Sequence, residues 1–299
     1  MIAYINTQCG QNKSSSEDRV LIQDEIVLEQ RKAKSFTHGI VAVADGVGGN
    51  NAGAVAAYQV CKGLMEVPEP TNEDFVRINE ELIEKSKENE NLRDMATTAS
   101  GLVFAQSGRC SGFHVGNTRI YAIQAGQYLK QLTVDDTVVN YLVRTGKLSE
   151  EEAINYPAKN EITACFGGGK IALLKIKTFN VDIEDTPLFL LTCDGIHDTL
   201  SLDDMEDIIC EADGNWQQAV DALVVSAKES GSTDDCSAVI IDCNADDLCE
   251  TINEEKVEEI KPEILDKAQS EENTNDDKNT DNNPKKAFFG LFHPSKKTE

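Results

Sequence analysis

Acidic residues recur in this chain where apolar segments begin or end. Ile40 to Ala44 is a hydrophobic run that delivers Asp45, followed by Gly46, to its carboxyl end. The run from Leu188 to Cys193 does the same for Asp194 and Gly195. Glu17-Asp18 precedes another apolar stretch, and Asp234-Asp235 precedes the last one. Carboxylates gathered at one sheet edge repel and raise one another's pKa. Hard divalent cations remove that cost, and an all-oxygen donor set favours Mg²⁺ or Mn²⁺ over zinc. The 4 histidines (His38, His114, His197, His293) form no HExxH or Cys/His spacing, which also argues against zinc. A single Asp-Gly is as compatible with a turn as with a ligand. The recurrence at strand ends too apolar to be surface decoration is what argues for a site.

Gly46, Gly48, Gly49 and Gly53 follow Asp45 closely enough to suggest a nucleotide loop instead. A GxGxxG from Gly46 requires glycine at Asn51, and a P-loop from Gly48 requires lysine and a hydroxyl residue at Ala54 and Val55. Both alternatives fail at those positions. No EF-hand loop supports a structural calcium domain, and no Ser-His or Cys-His pair suggests a side-chain nucleophile.

The elements that must position these acids alternate between strand-like and helix-like over residues 1–243. Residues 2–7, 19–28 and 36–44 read as strands, followed by helices over 52–65 and 72–87, the second capped by Asn72. Strands over 98–106, 110–115 and 119–125 are joined by short turns. Helices are expected over 135–145 and 149–155, the latter opened by a Ser149…Glu152 capping box. Strands over 170–181 and 188–192, helices over 202–210 and 216–229, and a strand over 238–242 complete the pattern. Adjacent strands with short turns imply antiparallel sheets, and helices entering in pairs imply an α+β layered fold.

With 299 residues and 40% hydrophobic content, the chain can build one large core. A formal charge of −25 makes nucleic acid a poor partner. The 9 cysteines include no CxxC pair and are odd in number, which fits reduced thiols and a cytoplasmic setting. The opening MIAYINTQCG has no basic region or long apolar run, so no signal peptide is expected. No stretch approaches the roughly 20 apolar residues of a transmembrane segment. From Asn244 to Glu299 the chain turns acidic and polar, which predicts a largely disordered tail with at most a partial helix over 246–268. Its end, with Phe288, Phe289, Leu291 and Phe292 between lysine pairs, fits a docking motif for a protein partner or a membrane surface.

In order along residues 1–243, the motifs resemble those of the metal-dependent protein phosphatases of type 2C, the PPM family, in its bacterial branch. Glu17-Asp18 resembles the first acidic motif and VAVADGVGGNNAG the second. Thr97-Thr98 resembles the Thr-Thr of the next strand, and HVGNTRIY the Val-Gly-Asp-Ser-Arg segment. LTVDDT, YPAKN and Gly167 resemble the flap, LLTCDG the Leu-Leu-x-Ser-Asp-Gly element, and GSTDDC the closing Asp-Asn motif. The resemblance implies a four-layer αββα sandwich, two antiparallel sheets flanked by helix pairs. It implies hydrolysis of phosphoserine and phosphothreonine by a metal-bridging water at two Mg²⁺ or Mn²⁺ ions, with a third, weaker ion. Asp45 and the Gly46 carbonyl, Asp194 and Asp234 would hold the ions, with Glu17 and Asp18 acting through water. Phosphoprotein substrates and a cognate Ser/Thr kinase are the implied partners.

The chain departs from the pattern at several positions. The phosphate-binding arginine falls on Lys13, a point charge without a bidentate fork. The aspartate linked to the third ion falls on Asn117. Asp235 replaces an asparagine, Cys193 a serine, and Val47 the histidine of many eukaryotic members. Lys13 and Asn117 motivate an alternative, a pseudophosphatase that binds a phosphoprotein or kinase without turning it over. His114 and Arg119 read as structural, Trp216 as core, and His197 as close enough to Asp194 to matter.

Overall fold

A computed structural model describes residues 1–47, 52–154, 156–158, 160–168 and 174–245. The expectations for a partial helix over 246–268 and for the aromatic docking motif lie outside these residues.

The strands are β1 (Ile2–Gln8), β2 (Arg19–Ile22), β3 (Glu25–Val27), β4 (Arg31–Ser35), β5 (Gly39–Ala44), β6 (Gly46–Val47), β7 (Ala96–Thr97) and β8 (Ala99–Phe104). They continue with β9 (Cys110–Val115), β10 (Arg119–Gln124), β11 (Tyr128–Gln131), β12 (Phe166–Gly167), β13 (Lys177–Val181), β14 (Leu188–Thr192) and β15 (Cys236–Asp242). The helices are α1 (Ala52–Met65), α2 (Asn72–Lys85), α3 (Val138–Arg144), α4 (Glu150–Ile154), α5 (Asp194–His197), α6 (Leu202–Glu211) and α7 (Trp216–Glu229).

Two 6-stranded sheets form the centre, ordered β11-β10-β14-β15-β1-β4 and β13-β9-β8-β5-β2-β3, with every pairing antiparallel. α1 and α2 cover the second sheet, and α6 and α7 lie on the first. The expected α+β sandwich of two antiparallel sheets with flanking helix pairs is therefore what the chain builds.

β5 shows why its sequence is apolar without interruption. Val41 and Val43 point into the core between the sheets. Ile40, Ala42 and Ala44 point the other way, into the layer shared with α1. Alternate residues face opposite sides of a strand, so one buried on both faces must be apolar throughout. Alanines on the α1 side let the helix approach, and Ala56, Ala57, Val60 and Leu64 complete that layer.

Several boundaries differ from those expected. The single strand over 19–28 is a hairpin, broken where Gln23 adopts φ 55. β4 and β11 have too few apolar residues to be recognised; both lie at sheet edges. Thr71, not Asn72, caps α2, forming a reciprocal box with Asp74. The Ser149–Glu152 box forms as expected.

Candidate metal and phosphate site

The acids converge because each lies just beyond or before a central strand. Asp45 follows β5, Asp194 follows β14, Asp234 precedes β15 and Asp18 precedes β2. A cleft of about 210 Å³ is lined by Asp45, Gly46, Asp194, Asp234, Glu17, Lys13 and Asn117. Val47, Asn160 and Ile162 complete its wall. Asp18 lies beneath, fully buried.

Backbone contacts fix the first acid. Thr98 N–H donates to the Asp45 carbonyl at 2.9 Å, and Thr97 Oγ1 donates to the same oxygen at 2.8 Å. β6 then pairs with β7, which pairs with β12, so a small 3-stranded sheet ties the chain after Asp45 to the end of the flap. The glycines matter for close approach. A Cβ on Gly46 would collide with the Gly53 backbone, and one on Gly53 would lie 2.6 Å from the Gly46 carbonyl carbon and 2.8 Å from Glu17 Oε1. Likewise, Gly195 leaves room for the Asp235 carbonyl, which a Cβ would strike. Only glycine lets these segments touch.

Asn117 donates from Nδ2 to Asp194 Oδ2 at 3.0 Å, and Asp45 and Asp194 face one another. Asp45 is pushed well above the ordinary carboxylate range, first by burial and then by the charges of Asp194, Asp18 and Asp234. Asp194 is raised by burial and by Asp234 and Asp198. Asp18 is raised by burial and by Asp235, although its Oδ2 accepts from Ser237 Oγ at 2.6 Å. Among the described residues, no lysine or arginine forms an ion pair with Asp18, Asp45 or Asp194.

Lys13 sits at the rim. Its Nζ donates to Asp234 Oδ1 at 2.6 Å and to Asp235 Oδ2 at 2.9 Å. Burial pulls the ammonium down, but the hydrogen bonds and charges of Asp234 and Asp235 outweigh it and hold Lys13 above the usual lysine range. Asp235 also accepts from Gly10 N at 2.7 Å and from Glu17 N at 2.8 Å. It therefore sews the loop before β2 to the segment before β15.

The donor chemistry fits hard cations. Every cleft donor is oxygen, the carboxylates repel one another, and Glu17 Oε1 and Asp18 Oδ1 are buried without a well-formed hydrogen bond. The Gly53 N–H and Cys193 thiol only approach them. Among the described residues, no three acidic, histidine or cysteine side chains close around a single point. Asp234 is engaged by Lys13, and Asp194 by Asn117.

Two residues of the site have no counterpart among the expected ones: Ser237, which bonds both Asp18 and Thr7 Oγ1, and the wall residue Ile162. Ser237 carried no motif signal; only its place on β15 opposite β1 brings it to Asp18. His114 is satisfied on both ring nitrogens, by Ser100 Oγ at 2.8 Å and the Val134 carbonyl at 3.0 Å. His197 is buried below the cleft, bonded to Thr192 Oγ1 at 2.7 Å. Trp216 packs against the core and donates to Asp242.

The same arrangement of elements occurs in known proteins. The serine/threonine phosphatase stp of Listeria monocytogenes serovar 1/2a is 30% identical over 217 residues, covering 68% of this chain and 84% of that protein. Protein phosphatase PhpP of Streptococcus pneumoniae serotype 2 is 26% identical over 252 residues, covering 81% and 97%. The catalytic domain of serine/threonine protein phosphatase PstP, solved in complex with two manganese ions, superposes with TM-score 0.62 at 23% identity, covering 81% of this chain and 99% of that one. Residues 13–227 match the protein phosphatase 2C family, and with the sandwich and the acids at its strand ends in place, the chain belongs to that family.

Proposed function

We propose that the cleft hydrolyses phosphoserine and phosphothreonine in proteins, using two Mg²⁺ or Mn²⁺ ions. The observation that carries this reading is the crowding of Asp18, Asp45 and Asp194 from three separate strand ends, Asp18 buried and the other two half-buried at the cleft, all without an ion-pair partner among the described residues. Asp45, the Gly46 carbonyl, Asp194 and Asp234 would hold the ions, with Glu17 and Asp18 orienting water around them. Such ions supply an activated water and a counter-charge for the phosphoryl oxygens.

The chain's own residues do the rest. Thr97 and Thr98 hold the Asp45 carbonyl and so fix the turn from which its carboxylate projects. Asn117 orients Asp194. Lys13 is the cation at the rim and attracts the phosphate as a point charge. Val47 offers no proton, so the departing serine or threonine oxygen is protonated from water. Asn160 and Ile162 form the flap side of the wall that a substrate peptide crosses.

Phosphopeptide hydrolysis supplemented with Mn²⁺, with Asp45→Asn as the control, tests the reading. Release of phosphate by the wild-type chain alone supports it. Equal, background release by both proteins would replace it with the pseudophosphatase alternative.

A further inference from the structure

Two departures that look unrelated in the sequence, Lys13 and Asp235, are in contact at 2.9 Å. We propose that Lys13 is a tethered counter-ion for Asp234, one that competes with the divalent cation for that carboxylate. Asp235 anchors the ammonium when Asp234 turns to an ion. The proposal rests on the metal reading of the cleft and concerns how this chain's own cation shares it.

The tether is built into the loop. Gly10 N–H is held by Asp235 Oδ1 at 2.7 Å, and a Cβ at Gly10 would lie 2.5 Å from the Thr233 carbonyl, so the loop rests directly on the 233–235 backbone. Lys13 N–H donates back to the Gly10 carbonyl at 3.3 Å, closing a turn that aims the side chain at the two aspartates. The ammonium is therefore positioned before any ligand arrives.

The two carboxylates are not equivalent. Asp235 is only 3% exposed and accepts from Gly10 N, Glu17 N and Lys13 Nζ. It has no reason to move. Asp234 is 57% exposed, and its Oδ1 accepts only from Lys13 and from the N–H of Asp235. Of the pair, Asp234 is the one free to rotate toward a cation in the cleft. A compact ammonium and a divalent ion seek the same oxygen, so binding one requires loosening the other. Asp235 keeps the displaced lysine from being lost to solvent, beside the place a phosphate must reach.

Isothermal titration of the full chain with Mn²⁺ tests this. Lys13→Met removes the charge, and Lys13→Gln does so while keeping a hydrogen-bond donor. Lys62→Met, on the exposed face of α1, controls for the general loss of a positive charge. Both Lys13 variants are expected to bind Mn²⁺ about fivefold more tightly, the upper range for a partly exposed ion pair, with Lys62→Met unchanged. Equal or weaker binding by both Lys13 variants, with binding still abolished in Asp45→Asn, overturns the counter-ion and leaves the metal reading intact. No Mn²⁺ binding by any protein overturns both. Nitrogen-15 NMR of the lysine ammonium groups supplies a direct readout. The Lys13 Nζ resonance should move on Mg²⁺ addition, and one that stays fixed through saturation also sinks the proposal.

Discussion

Two acidic clusters lie within this fold, one on each side of the turn between β9 and β10, and they have opposite electrostatic character. Asp135 and Asp136 are buried and fully paired. Arg119 donates to Asp135 from Nε and Nη2, the shortest bond being 2.7 Å. Asp136 accepts from Lys177 Nζ at 2.6 Å and from Gly116 N–H at 3.3 Å, with His114 nearby. Asp18 is as deeply buried and Asp45 and Asp194 are half-buried at the cleft, yet they meet mainly one another. A paired buried acid holds structure, and its partner has already repaid much of its desolvation. An unpaired group of buried acids costs stability, and a fold keeps it only where something else uses the charge. The contrast singles out the second cluster as the candidate site on physical grounds, without reference to any relative.

The sharpest way to break this contrast is to exchange one acid in each cluster. Asp45→Asn should lower Mn²⁺-supported phosphopeptide turnover about a thousandfold, the scale of losing several kcal/mol of cation-derived stabilisation. In EDTA the same variant should be more stable than wild type by about 1 kcal/mol, because a charge that Asp194, Asp18 and Asp234 repel is gone. A denaturant midpoint that falls instead would show that Asp45 is structural.

Arg119→Leu should do the reverse. It leaves Asp135 buried without its partner and should cost about 3 kcal/mol in urea unfolding. Turnover per folded molecule should stay within a fewfold. Lost turnover at unchanged stability would place Arg119 in the site and erase the distinction.

The paired cluster also predicts a pH response. Burial, followed by the charge of Lys177, holds His114 below the ordinary histidine range. The unfolded chain then binds more protons than the folded one at mildly acid pH. Stability contributed by neutral His114 is complete above the unfolded pKa of about 6.5 and is lost below it, at up to about 1.4 kcal/mol per pH unit. Thermal melts from pH 7.5 to 5.5 should show a shallower decline in His114→Gln than in wild type. Parallel declines would remove His114 from the account.

Asn117→Asp has the smallest expected effect. It replaces a hydrogen bond to Asp194 with a like charge, so it should destabilise the chain in EDTA by about 1 kcal/mol. Mg²⁺ should restore that loss. A loss that persists in saturating Mg²⁺ would show that the amide, rather than the charge balance, is what the turn requires.

Much of the architecture was legible because local chemistry and tertiary packing agree. β5 and β14 read as buried strands from uninterrupted apolar runs, and α1 from alanines and large apolar residues at helical spacing. Where they disagreed, the sequence misled. The helix expected from Asp135 starts at Val138, because Asp135 and Asp136 are committed to Arg119 and Lys177 and Thr137 supplies the cap. β4 carries Arg31-Lys32-Ala33-Lys34-Ser35, which has no strand pattern. It is an edge strand whose lysines pair with Glu25 and Asp24 beside β3.

The acids, the strand ends that carry them and the glycines that let backbones touch follow from residue type and short-range spacing, and so are legible before the chain is folded. Which acids would be left without a partner was decided only by the tertiary structure. Asp136 is separated from Lys177 by 41 residues, and Lys13 from Asp234 by 221. Charge pairing acts through space, and only the folded sandwich sets those distances.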